Sequence, residues 1–142
     1  MTHTKPHPNI DPEIKPFWDG LKTHKFLLFR CSKCGAWYWP AAYCRNHANE
    51  PYMSEMRWES ASGRGTVFAF NIHRRALDPS FEDDIPYVYA LIELREGPMF
   101  ATNIVDARPE SVSIGAEIEI VFEDHPADGF TLPKARLVAQ GR

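Results

Sequence analysis

The sequence predicts a mainly β protein made of a short N-terminal helix, a metal-stapled pair of knuckles and a small barrel of five strands. Three observations carry that prediction. All three cysteines and one of the six histidines fall inside CSKCGAWYWPAAYCRNH, residues 31–47. From Gly65 onward, apolar residues recur with period two, and ahead of both features PFWDGLKTHK has the spacing of a helix.

The first ten residues carry two prolines and no apolar pattern, so they read as an arm without structure of its own. Asp11 and Pro12 form a cap and first-turn pair, but Pro16 disturbs a helix begun there. The cleaner start is near Pro16, with Phe17, Leu21 and Trp18 on one face. So short a helix is not stable alone and must dock on something.

FLLFR, residues 26–30, leads into Cys31, and WYW, residues 37–39, leads away from Cys34. Two short strands around a turn at Cys34-Gly35 fit this arrangement. After residue 47, ANEPYMSEMRWESASGRG is polar and turn-rich apart from MRW, and reads as a connector.

The barrel strands follow. GTVFAFNIH alternates with Phe68, Phe70 and Ile72 on one side. PYVYALIEL groups Val88, Ala90, Ile92 and Leu94, and AEIEIVFE sets Ile118, Ile120 and Phe122 against Glu117, Glu119 and Glu123. MFATNIV and TLPKARLVA complete five strands, for which the OB fold is the common closed solution. Alternation alone leaves an SH3-like barrel or a sandwich fragment open.

The cysteine cluster has metal-ligand spacing. Cys31 and Cys34 form a CxxC followed by Gly35, and Cys44 and His47 form a CxxH. Each pair converges two side chains around a tight turn, and two pairs complete a tetrahedron of soft donors that suits zinc over magnesium or calcium. A redox CxxC is expected at a helix start in a βαβ unit, whereas these flanks are strand-like. Four protein ligands leave no open position, so the expected zinc is structural.

Composition narrows the class. With 44% hydrophobic and 25% charged residues the chain is a folded one, not a disordered one. No apolar run approaches the roughly 18 residues of a membrane span, and the start lacks the apolar core of a signal peptide, so the expectation is a cytoplasmic protein without membrane attachment. Residues 21–64 hold seven lysines and arginines against three acids, a net of +4, while residues 65–142 hold seven against thirteen, a net of −6. No GxSxG or HExxH is present, and His24, His73 and His125 come without a neighbouring pattern that assigns them a role.

Taken in order, FWDGLKTHKFLLFRCSKCG, the WYWP step, SGRGTVFAF, IPYVYALIELREGPMFATNIV, IGAEIEIVFED and GFTLPKARLV resemble the family long called domain of unknown function 35. The resemblance covers nearly the whole chain from about Phe17. It implies an N-terminal arm with a short helix (1–25), a rubredoxin-like zinc ribbon (26–62) and an OB-fold barrel (63–142). The family's ribbon usually carries a second CxxC where this chain has Cys44-Arg45-Asn46-His47; histidine is a competent zinc ligand, so the site is expected to be kept.

The resemblance further implies a non-catalytic partner subunit of a thiolase-like enzyme (a thiolase, a thiolase-type aldolase or an acyltransferase) that helps bind acyl-CoA. The partner would supply the nucleophilic cysteine and the catalytic histidines. For the CoA phosphates, Arg74 and Arg75 at the end of the first barrel strand are the candidates; Trp37 and Trp39 suit adenine or a protein interface, or else simply pack the ribbon on the barrel. Tyr38 and the basic residues Lys33, Arg45, Arg57 and Arg64 lie in the same basic stretch, residues 21–64. The arm and barrel rim are expected to dock on the partner, with the acidic loop from Arg74 to Pro86 as a mobile contact. The alternative is a single-stranded nucleic-acid module, which the barrel's net −6 disfavours.

Overall fold

The computed structural model describes residues 4–40, 43–47 and 55–139. Asp11 and Pro12 open a 3-10 turn over Pro12–Ile14, in which the Asp11 carboxylate accepts the Glu13 N–H at 2.8 Å. The helix α1 follows at Lys15–Lys22 with Pro16 in its first turn, where a missing N–H is harmless. Both helix starts legible in the sequence are therefore used, in series. Phe17, Gly20 and Leu21 are buried, and the half-buried Trp18 packs beside them. At the end of α1, the Thr23 and Lys25 N–H groups both donate to the Gly20 carbonyl, and His24 takes a positive φ of 58° that turns the chain toward the first strand.

A three-stranded sheet comes next, built from β1 (Leu27–Cys31), β2 (Trp37–Tyr38) and β3 (Met56–Ser60) in the order β2-β1-β3. The third strand corrects the sequence reading: MRW does not interrupt a connector but belongs to a strand paired along all of β1. Phe29 lies opposite Trp58, their rings edge-on at 4.8 Å. Residues 48–54 of the expected connector lie outside the described residues. Strand β1 is apolar on both faces. Phe26, just before it, and Leu28 join the main core, whereas the buried Phe29 and Cys31 alternate to the other side.

The barrel consists of β4 (Arg64–His73), β5 (Tyr87–Leu94), β6 (Met99–Val105), β7 (Glu117–His125) and β8 (Phe130–Leu137). It closes in the order β4-β5-β6-β8-β7, with only β6 and β8 parallel. This is the connectivity of an OB fold. Val88, Ala90, Ile92 and Leu94 are all buried on β5, and Ile118 and Ile120 on β7, as alternation predicts.

On β4 the alternation fails at one position. Phe68 was expected inside with Phe70 and Ile72, but it is 51% exposed, and Val67 is buried instead. A bulge between Val67 and Ala69 inserts one residue and resets the parity, so Phe70 and Ile72 still pack against the core. Nearby, Gly65 is paired to Leu94 on one side and Ile118 on the other, and a Cβ there would lie 2.5 Å from the Glu93 carbonyl oxygen.

One apolar cluster joins the barrel residues Val67, Ile92, Phe100 and Ile118 to Phe17 and Leu21 of the helix and to Phe26 and Leu28. The helix thus docks into the barrel's own core, which supplies the tertiary burial so short a helix requires. The connection from Arg74 to Pro86 is built around a 3-10 helix, Pro79–Asp84, whose first turn is capped by the Asp78 carboxylate accepting the Ser80 N–H at 2.9 Å. Among the described residues no helix is long and apolar enough to cross a membrane.

Candidate metal centre

The first knuckle hangs from the end of β1. The Cys31 carbonyl accepts the Gly35 N–H, and the Cys31 N–H donates to Ala36, each at 2.9 Å. Gly35 has φ +77°, a conformation that side chains resist, and Arg30 folds over it, donating from Nε to the Gly35 carbonyl at 3.2 Å. The second knuckle is a turn in which the His47 N–H donates to the Cys44 carbonyl. The Arg45 N–H meanwhile donates to the Tyr38 hydroxyl at 3.1 Å, which ties this turn to β2.

These two turns bring Cys31, Cys34, Cys44 and His47 together, their donor atoms all within 4.8 Å of one another. No disulfide joins the cysteines, and the Cys34 and Cys44 sulfurs are 3.5 Å apart. Thiolates on one tetrahedral zinc, with bonds of about 2.3 Å, sit roughly 3.8 Å from each other, so the cluster is already at metal-binding separation. The His47 Nε2 is buried and has no hydrogen-bond partner among the described residues, a costly arrangement unless it faces an ion. Three sulfurs and one imidazole nitrogen fit zinc, and four protein donors close the coordination shell.

The surroundings prepare the sulfurs for a cation. Asn46 Nδ2 donates to the Cys34 sulfur at 3.4 Å and, with the Ala36 N–H, holds that thiol down to about 6. Burial pushes the Cys31 thiol up, the cost that a bound cation would offset. The Tyr38 hydroxyl lies 3.5 Å from the Cys44 sulfur, and this contact raises the phenol above its ordinary value. The supporting roles of Asn46 and Tyr38 escape the sequence reading, which offers Tyr38 with its neighbouring tryptophans to a ligand or interface; Asn46 lies within the CxxH, but neither residue type signals support of a metal site.

The other candidates fall elsewhere. Trp39 packs its ring 4.2 Å from Phe17 and 5.4 Å from Phe100, and the Arg30 guanidinium covers the Trp37 ring at 4.6 Å. Arg74 and Arg75 are exposed, Arg74 pairing with Glu110 at 3.6 Å. Arg64 pairs with Glu119 at 3.5 Å, and Lys33 with Glu55 at 3.9 Å, so cations of the basic ribbon segment are partly matched by acids. His24 Nε2 reaches the Asp124 carboxylate at 2.9 Å, and Thr131 Oγ1 donates to the same carboxylate at 2.7 Å. Here the carboxylate sits between hydroxyl and imidazole, whereas a nucleophilic triad needs the imidazole in the middle. His73 stacks on Tyr87 at 4.7 Å and His125 accompanies Glu123 at 2.8 Å.

With this geometry in place, likeness to known proteins identifies the architecture. Residues 18–50 match the ChsH2 rubredoxin-like zinc ribbon domain and residues 58–123 match the ChsH2 C-terminal OB-fold domain. A DUF35 domain-containing scaffold protein of Methanocaldococcus jannaschii is 35% identical over 121 residues, covering 84% of this chain and 83% of that protein. The 3-oxo-4,17-pregnadiene-20-carboxyl-CoA hydratase alpha subunit of Mycobacterium tuberculosis is 31% identical over 84% of this chain, which spans only 36% of that subunit. Among solved structures, a chain of the Ltp2-ChsH2(DUF35) aldolase superposes with a TM-score of 0.76 at 26% identity, covering 92% of this chain and 98% of that one. The chain belongs to the DUF35 family.

Proposed function

We propose that the chain is a non-catalytic accessory subunit that associates with a thiolase-like enzyme and helps hold its acyl-CoA substrate. The observation that carries this reading is the likeness, over 92% of the chain, to a chain of the Ltp2-ChsH2(DUF35) aldolase. The naming of relatives as scaffold protein and as hydratase alpha subunit supports it from a second direction. In this reading Cys31, Cys34, Cys44 and His47 hold one structural zinc that fixes the ribbon, residues 26–62. The helix within residues 1–25 and the barrel, residues 63–142, are locked to it through the shared core. When bound, the metal supplies coordination that holds the two knuckles; the acyl chemistry belongs to the partner.

Arg74 and Arg75 are the groups offered to CoA phosphates. Both are exposed at the end of β4, and a phosphate would replace Glu110 as the partner of Arg74. In this reading Trp37 and Trp39 serve packing first: both lie against the shared core, Trp39 on Phe17 and Phe100. CoA-agarose retention tests the ligand role. The wild-type chain should be retained and eluted by CoA, and the Arg74→Ala, Arg75→Ala double variant should pass through; equal retention of the two would remove these arginines from the account.

A further inference from the structure

Residues 4–7 run as a strap along one side of the barrel. Lys5 Nζ lies 2.6 Å from the Asp84 carboxylate and 5.6 Å above the Phe81 ring. Two residues on, His7 Nε2 lies 3.6 Å from Asp128, and its ring is 5.2 Å from Phe130. The strap therefore bridges the 3-10 helix Pro79–Asp84 on one side and the β7–β8 turn on the other. Between these walls is a cleft of about 950 Å³, floored in part by Tyr87, Tyr89 and Asn103 of β5 and β6. That is at the upper end of the range of ligand sites, roughly 300 to 1,000 Å³.

The cleft occupies the second-and-third-strand face where OB folds hold extended polymers. Sites for single-stranded nucleic acid line this face with positive charge and stacking rings. Here the rings are present but the charge is inverted: Asp83, Asp84, Asp106, Glu123 and Asp128 border the cleft, against Lys5 and Lys134. Lys134 is partly buried and already donates to Asn103 Oδ1 at 2.8 Å. Three of these acids are already matched, Asp84 by Lys5, Asp128 by His7 and Glu123 by His125, so the cleft's five carboxylates meet two lysines and two histidines, and two of those four cations belong to the strap. A carboxylate and a ring face, both meeting the cationic head, are the chemistry by which Lys5 itself is held.

We propose that this cleft binds an extended, basic peptide segment of a partner protein, and that residues 4–7 are a built-in example of the sequence it recognises. Lys5 and His7 each precede a proline, which favours extended backbone, and they reach opposite walls of the cleft. A partner segment with the same spacing of basic residues would use the same acids, either beside the strap or in its place. The proposal goes beyond the accessory-subunit reading and is tested without an enzyme partner or CoA.

The test is fluorescence anisotropy at low salt, with a labelled peptide of sequence TKPHPNI titrated into the full-length Lys5→Ala, His7→Ala variant and into the wild type. The expected result is saturable binding to the variant, at least tenfold weaker binding to the wild type, whose own strap competes, and a loss of affinity as salt rises. Asp84→Lys with Asp128→Lys, introduced into the strap variant, should abolish binding. If that reversal impairs folding, as circular dichroism would report, Asp84→Asn alone should weaken binding at least threefold. Equal binding of an acidic control peptide TEPEPNI, or preferential binding of a labelled oligothymidine at the same concentrations, would overturn the proposal.

Discussion

The ring of Trp39, in the ribbon, lies 4.2 Å from that of Phe17, on the N-terminal helix. Phe100 of the barrel completes the contact, 5.4 Å from Trp39 and 6.3 Å from Phe17. Helix, ribbon and barrel thus meet at one aromatic junction. Trp39→Ala should destabilise the protein by about 3 kcal/mol, the low end for a large aromatic because the residue is only half-buried, and Trp39→Phe by less than half of that. Urea denaturation would read this as a lower midpoint of a single transition. A midpoint unchanged by the alanine variant would mean that the junction is incidental.

The ribbon's stability should depend on the metal far more than on its own core. Structural zinc in small modules is worth roughly 10 to 16 kcal/mol of coupled folding free energy. His47→Ala should weaken zinc more than the roughly 10- to 100-fold typical of supporting groups, and His47→Cys should restore it. Asn46→Ala and Tyr38→Phe should each fall within that supporting range. Competition with a chromogenic chelator measures all four variants. Unchanged affinity in His47→Ala would place the fourth ligand elsewhere.

The bulge in β4 makes neighbouring phenylalanines unequal. Phe68→Ser should change stability by no more than about 0.5 kcal/mol, as for an ordinary surface site. Phe70→Ser should cost at least about 1 kcal/mol, because it removes a ring packed against the core. Thermal melts of the two variants decide between this register and the strict alternation expected from sequence, which would make both costly.

Where β4 passes Gly65, a methyl group has no room. Gly65→Ala would set a Cβ 2.5 Å from the Glu93 carbonyl oxygen and 2.8 Å from Ile92 Cγ2, so β4 and β5 would have to part. A loss of about 1 to 3 kcal/mol is expected, with faster amide exchange along β4 and β5. A variant as stable as the wild type would show that the strands are not that close.

Acid should loosen the tie between the helix end and the barrel. The Asp124 carboxyl is held below its ordinary value first by the Thr131 hydroxyl and then by His24. A folded value depressed below the unfolded one, about 3.9, contributes stability that is present above about pH 4 and lost as the pH falls through the folded value. Asp124→Asn should therefore be less stable than wild type at pH 7, and the gap should close as the pH falls through the folded value. Melting temperatures from pH 2 to 7 check the sign; a gap that is constant with pH would contradict it.

What was legible in the sequence was whatever depended on local pattern. The cysteine spacing exposed the knuckles, and period two exposed β5 and β7, because each is written in adjacent residues. Strand β3 was not legible: only Met56 and Trp58 are apolar in it, and its identity as a strand comes from pairing with β1. The β4 bulge leaves no mark in GTVFAFNIH, since Phe68 suits either face. His24 and Asp124 stand 100 residues apart, and the carboxylates of the strap cleft come from separate loops and strands, so only the closed topology brings them together.

The central claim is that this chain works as the zinc-fastened accessory subunit of a thiolase-like enzyme. The most direct measurement is purification of the tagged protein from its own host at native expression, followed by mass spectrometry of co-purifying proteins and a zinc assay on the same sample. The account predicts a thiolase-like subunit in a stable complex and about one zinc per chain. A chain recovered alone, or with nucleic acid and no such subunit, would contradict it.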